Sequence, residues 1–195
     1  MNELYLIRHG KASLDGSDRD RGLTEEGNKQ AIQIMDIFKN LNQKITKIYS
    51  SPLNRAILTI TPLSNYLNLE IHVVEDLKEK ITGDTSGKNL NDEKQKMWTD
   101  FDSKLPGGES SKESTDRAVN ALNTIVNELE NNEHAVVQCH GTLIGLILHH
   151  FDSTFGFSDW KKMTMPDIYK LVYDNNDVLI EHIGCDSIET FKIGD

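Results

Sequence analysis

Leu4-Tyr5-Leu6-Ile7-Arg8-His9-Gly10 decides the fold. Four apolar residues run without a break into an arginine, a histidine and a glycine. A short continuous apolar run suits a strand buried on both faces of a parallel sheet. In open α/β sheets, ligands bind beyond the carboxyl ends of the strands. Arg8 and His9 therefore stand where such a fold does its chemistry, and Gly10 lets the backbone turn sharply or approach a ligand. A strand that merely happens to end in polar residues would look the same over three positions, so the tripeptide needs support from elsewhere.

Outward from that strand, strands and helices alternate. Lys11 to Gly22 is a polar loop. Thr24 is an N-cap for a helix from about Glu25 to Leu41, with Ala31, Ile34, Met35, Phe38 and Leu41 on one face. Ile45 to Tyr49 is a second strand, closed by Ser50-Ser51. Ser51 as N-cap and Pro52 at the first helical position predict the next helix, with a kink or early end near Thr61 ahead of Pro62. Leu69 to Val74 is a third strand. From Glu75 to Lys104 the apolar pattern weakens, which predicts a lid-like inserted segment at about 75–104 with a short helix around Asp92 to Phe101. Pro106-Gly107-Gly108 is a turn. A long amphipathic helix follows, with Ala118, Ala121, Leu122, Ile125, Val126 and Leu129 on its buried face. Ala135 to Cys139 is a second buried strand that runs into His-Gly, at His140-Gly141, and Leu143 to His150 is helical. Ile168 to Tyr173 and Val178 to Ile183 form a hairpin-like pair around Asp174-Asn175-Asn176-Asp177. This alternation predicts an α/β fold with three layers, a mostly parallel central sheet flanked by helices, in a single domain over 1–195.

Of the 195 residues, 27% are charged and 37% hydrophobic, a globular composition. The formal net charge of -10 argues against nucleic acid or anionic membranes as the main partner. A few arginines in one cleft can still reverse the sign locally for a small anion. No apolar run approaches the roughly 20 residues of a membrane helix, and the N-terminus lacks a signal-peptide pattern, so a cytoplasmic location is expected. Cys139 and Cys185 are too few for a disulfide framework and lack metal-binding spacing, and both read as buried thiols. No metal or other cofactor is expected.

Several blocks together carry a resemblance: Arg8-His9-Gly10, Leu23-Thr24-Glu25-Glu26-Gly27, Ser51-Pro52-Leu53-Asn54-Arg55-Ala56, Leu77-Lys78-Glu79, Pro106-Gly107-Gly108-Glu109-Ser110 and His140-Gly141. In this order and spacing the chain resembles the histidine phosphatase superfamily, which includes the phosphoglycerate mutases, and the resemblance implies a phosphoglycerate mutase-like fold. It also implies that His9 is the nucleophile, attacking phosphorus to form a phosphohistidine. Arg8, Arg55 and His140 would bind the equatorial oxygens of the transferring group, where positioning and electrostatics carry most of the catalysis. The planar guanidinium matches phosphate geometry, and His140 would be protonated beside the anion. Glu79 fits the acid position. An ordinary glutamate titrates near about 4.3, so partial burial or the bound anion must raise it. The following Lys80-Ile81-Thr82-Gly83-Asp84 lacks the aromatic usual before the glycine. Glu109 either positions the second histidine or closes the pocket, or is structural. Ser13 is in reach of a phosphate from the loop, though a solvated loop serine is the plainer account. His72, His134, His149, His150 and His182 have no such support and read as incidental.

The mutase signature continues with Glu-Ser or Glu-Thr and then an asparagine, where this chain has Lys11-Ala12-Ser13-Leu14-Asp15. That departure and the short chain favour the phosphatase branch. Asp18-Arg19-Asp20-Arg21-Gly22-Leu23-Thr24 is similar to the small phosphohistidine-protein phosphatases, which usually carry less than the Glu75 to Lys104 lobe. The expected activity is a metal-independent phosphomonoesterase acting on a phosphorylated small molecule or a phosphoprotein. The alternatives are a phosphoryl-transferring mutase and a catalytically silent binding module on the same fold.

Overall fold

The computed structural model describes residues 1–41, 43–174 and 177–185. Its strands are β1 (Asn2–Arg8), β2 (Ile45–Ser50), β3 (Ile71–Val73), β4 (His134–Cys139), β5 (Asp167–Asp174) and β6 (Asp177–His182). Its helices are α1 (Glu25–Leu41), α2 (Asn54–Leu67), α3 (Leu90–Lys96), α4 (Ser111–Asn127), α5 (Gly141–Phe151) and α6 (Phe157–Lys162). The strands form one sheet of order β3-β2-β4-β1-β5-β6. The first three neighbouring pairs are parallel, while β1-β5 and β5-β6 are antiparallel.

Successive side chains of a strand point to opposite faces, and β1 shows why a continuous apolar run marks a central strand. Leu4 and Leu6 pack with Ala135, Val137 and Cys139 of β4 against Leu122 and Ile125 of α4 and Leu143 and Ile147 of α5. Tyr5 and Ile7 pack on the other face, with Val136, against Ile34 and Phe38 of α1 and Ile60 and Leu63 of α2. Two cores on one sheet make the expected three layers. Cys139 and Cys185 are both buried, as expected. Among the described residues, no helix is long and apolar enough to cross a membrane.

Several boundaries depart from expectation, each with a local cause. α2 begins at Asn54 rather than at Pro52. The Ser51 hydroxyl accepts from Leu53 N–H at 3.3 Å in a tight turn, and Asn54 N–H is met by the Arg19 carbonyl at 3.0 Å. α2 also continues through Pro62 to Leu67. The ring removes the donor for the Leu58 carbonyl, but Leu58 lies on the solvent side, 37% exposed, rather than in the core. Ile60, Leu63 and Ser64 meanwhile hold both halves of the helix against the sheet. β3 loses Leu69 because its N–H closes the end of α2 on the Ser64 carbonyl at 3.1 Å. α3 starts early because the Asn89 side chain accepts from Asn91 N–H at 3.0 Å, and it ends early. Beyond it, turns bring Trp98 against α5, where a Cβ on Gly145 would stand 3.0 Å from the indole. α6 has no counterpart in the sequence reading. Asn175 and Asn176 of the expected hairpin turn lie outside the described residues.

Candidate active site

The β1-β4 register sets the site. Arg8 pairs with Cys139, so the next residue on each strand, His9 and His140, emerges side by side at the carboxyl edge. His9 N–H donates to the Cys139 carbonyl at 3.3 Å, and the two rings lie 5.1 Å apart at 61°. On the other side of β4, Ser51 N–H donates to the Gln138 carbonyl at 2.9 Å. Ser51 Oγ then lies 2.7 Å from His140 Nε2.

His9 is 8% exposed. Its Nδ1–H donates to the Gly10 carbonyl at 2.7 Å, which leaves Nε2 with the lone pair. Burial lowers its pKa to about 4; the Gly10 bond opposes the shift, and the nearby Arg55, Arg8 and Arg21 add to it. The ring is therefore neutral at pH 7. His140 is fully buried and its Nδ1 makes no hydrogen bond. Burial, then His9 and the surrounding arginines, hold it well below 6.5.

Two glycines let the backbone close around His9. A Cβ on Gly10 would stand 2.9 Å from the Gly27 carbonyl, and one on Gly27 would stand 2.2 Å from the Lys11 carbonyl. Gly10 N–H donates to Thr59 Oγ1 of α2 at 3.0 Å, and Gly27 N–H to Thr24 Oγ1, the expected cap of α1, at 3.0 Å. Arg8 lies across Gly141, where a Cβ would stand 2.8 Å from its Nε. Arg8 Nη1 donates to the Met163 and Thr164 carbonyls, both at 3.0 Å, while Nε is buried without a partner.

Arg55 sits in the first turn of α2, 3% exposed. Its Nη1 donates to the Asp18 carbonyl at 2.7 Å and lies 3.2 Å from Asp18 Oδ1, which also pairs with Arg21. Glu79 caps α5. Its Oε1 accepts from Lys80 N–H at 2.9 Å and Leu143 N–H at 3.0 Å, and Oε2 accepts from Thr142 N–H at 3.1 Å. These N–H donors fix the orientation of the carboxylate, and Oε2 keeps a lone pair that faces no backbone donor.

The segment bearing Glu79 is strapped down by Arg117 of α4, whose guanidinium donates to the Asp76, Lys78 and Glu79 carbonyls at 2.5, 2.9 and 3.3 Å. Glu109 holds Arg117 through two bonds of 2.8 and 2.9 Å and accepts from Ile81 N–H at 2.9 Å. Burial raises the pKa of Glu109, but Arg117, Ile81 N–H and Ser114 outweigh it and bring it down to about 2. Glu109 thus acts on the Glu79 segment; its bonds do not reach His140.

His9, Arg55 and Glu79 line one cleft of about 660 Å³, with Lys11, Lys78, Lys80 and Arg21 around them. This local excess of cations reverses the sign of a chain whose net charge is -10. Ser13 is not brought in: its hydroxyl bonds Asp15 at 3.1 Å within the loop. None of the five incidental histidines lines the cleft.

The model of the histidine phosphatase superfamily (branch 1) matches residues 4–186. The chain belongs to that superfamily. The chain is 31% identical to the "Uncharacterized phosphatase PhoE" of Bacillus subtilis (strain 168) over 153 residues that cover 76% of each chain. The "Probable phosphoglycerate mutase GpmB" of Escherichia coli O1:K1 / APEC is 29% identical over 161 residues, 76% of this chain and 74% of that one. Among solved structures, phosphoserine phosphatase from Entamoeba histolytica in complex with 3-phosphoglyceric acid superposes with a TM-score of 0.76 at 22% identity, over 94% of this chain and 97% of that one. At that identity the likeness speaks for the fold.

Sequence reasoning missed Arg117, Arg21, Asp18 and Thr59, and read Ser51 as a helix cap only. Arg117 looks like any cation on the polar face of an amphipathic helix. Arg21 and Asp18 did carry a signal, since both fall in the stretch just before Leu23-Thr24, but nothing local says that they line the cleft beside Arg55.

Proposed function

We propose that this chain is a metal-independent phosphomonoesterase working through a phosphohistidine on His9. The observation that carries this reading is a neutral ring whose Nε2 lone pair is free, in a cationic cleft that Arg55 also lines, with the His140 ring packed against it and Arg8 close by. Nε2 attacks phosphorus as the ester P–O bond breaks, and the departing oxygen takes its proton from Glu79. Arg8 Nε, Arg55 and His140 Nδ1 are the donors for the equatorial oxygens. Burial and then the protein's own charges favour neutral His140, so protonation of that ring comes with the phosphate dianion. Water then attacks the phosphohistidine, returns a proton to Glu79 and releases phosphate.

Lys78 to Thr82, within the 75–104 segment proposed as a lid, form a wall of the cleft and make it the selector of the leaving group. The substrate class is a phosphorylated small molecule or a phosphoprotein. The similarity to GpmB favours a second reading, phosphoryl transfer between positions of one substrate.

A panel of phosphomonoesters assayed for free phosphate separates the two. Release of phosphate supports the hydrolase; an isomerised phosphate ester without release supports the mutase. His9→Ala is expected to abolish turnover with unfolding unchanged, and turnover retained in that variant overturns the nucleophile. Glu79→Gln is expected to cost about 100-fold on alkyl phosphates and far less on aryl phosphates, whose leaving groups need no acid. Equal losses on both would remove Glu79 as the acid.

A further inference from the structure

The loop between β1 and α1 puts a carboxylate of the protein itself onto the arginines of the cleft. Asp18 Oδ1 lies 3.2 Å from Arg55 Nη1 and pairs with Arg21 Nη2, so one oxygen bridges two guanidiniums. Asp18, Arg21 and Arg55 line the same cleft as His9. Both arginines are close enough to His9 to act on its charge. The Arg21 side chain is 26% exposed, with a buried Nε that makes no hydrogen bond. Asp18 is the loose partner: its side chain is 66% exposed, against 4% for Arg55. The Asp18 main-chain carbonyl holds Arg55 separately at 2.7 Å, so the guanidinium stays in place when the carboxylate swings away.

We propose that Arg21 is a third phosphate-binding arginine, and that the Asp18 carboxylate occupies the Arg55–Arg21 fork until a phosphate group displaces it. This rests on the phosphatase reading only in taking phosphate as the ligand. An exposed carboxylate held by arginine is a weak pair in water. A phosphate dianion brings more charge and three acceptor oxygens to the same donors. The exchange keeps both guanidiniums paired in either state, and it filters out singly charged anions that bind no better than Asp18.

Calorimetric titration of inorganic phosphate into the wild type, Asp18→Asn, Arg21→Gln and the double variant tests the assignment, with thermal unfolding run on each. Asparagine keeps the size and the main-chain carbonyl and removes only the charge. Asp18→Asn is expected to bind phosphate about tenfold tighter, and Arg21→Gln about tenfold weaker. KM for an aryl phosphate should move in the same directions, with kcat changed less. In the double variant the gain from removing Asp18 should shrink, because one of the cations that it neutralised is gone. Weaker phosphate binding by Asp18→Asn means that the carboxylate aligns the arginines rather than competing, and overturns the proposal. Unchanged affinity in Arg21→Gln removes Arg21 from the site, and no phosphate binding by any of the four proteins does the same. Should the wild type bind phosphate with these shifts yet release none from any ester, the phosphatase reading fails and the Asp18–Arg21 assignment stands.

Discussion

His9 and His140 are both held neutral by burial among cations, with a consequence for stability that can be signed. In each, the folded state binds a proton less readily than the unfolded chain, whose imidazoles titrate near 6.5. The unfolded state therefore takes up protons first as the pH falls. Their contribution to stability is complete above 6.5 and is lost as the pH falls below it, for His9 down to about 4. The thermal midpoint is expected to fall across that window, and His9→Asn and His140→Asn should each flatten the slope. The same shift sets activity. With a substrate whose own ionisation is corrected for, the acid limb of kcat/KM that belongs to His9 should fall near about 4 rather than 6.5. An acid limb near 6.5 would mean that the ring is not buried as described.

Among the elements, the amino end of α5 does the most. Gly141 leaves room for Arg8, and the next two N–H groups fix the Glu79 carboxylate. The other side of Glu79 depends on Arg117 of α4 and on Glu109, just ahead of that helix. Their side chains are 13% and 17% exposed, so removing one charge leaves the other poorly solvated. Glu109→Gln is expected to lower the unfolding free energy in urea by about 2–3 kcal/mol. Through the displaced Glu79 it should lower kcat towards alkyl phosphates by up to about 100-fold. KM should move little, because no phosphate-binding group shifts. A large KM change with kcat intact would place Glu109 on the substrate side of the wall. The Glu109 carboxylate adds its own acid limb to stability, present above its ordinary 4.5 and lost as the pH falls towards about 2.

For the molecule as a whole, the sheet order brings the carboxyl ends of β2, β4 and β1 to one edge, so Ser51, His140 and His9 meet although they are far apart in the chain. The charge is divided in the same way, with a net -10 over the chain and cations concentrated at that edge. Orthovanadate, which adopts five-coordinate geometry on a nucleophile, is expected to inhibit. At about 100 times its Kd it should stabilise the fold by about 2.7 kcal/mol, read as a raised thermal midpoint. EDTA should leave turnover unchanged. A loss in chelator that magnesium restores would overturn the metal-independent mechanism.

The amino-acid sequence by itself determined the layers, the central strands and the His-Gly ends of β1 and β4. Those depend on which residues must leave water, and that is written in local apolar periodicity. It also indicated Arg8, His9, Arg55, Glu79 and His140, through the resemblance of the blocks that carry them to the histidine phosphatase superfamily. Only the tertiary structure decided who holds them. Ser51 meets His140 across 89 positions, Arg117 meets Glu79 across 38, and Arg55 meets Asp18 across 37. Such pairings depend on strand register and helix docking, which no local pattern encodes. The survival of α2 through Pro62 has the same origin, since packing on the sheet outweighs a local propensity.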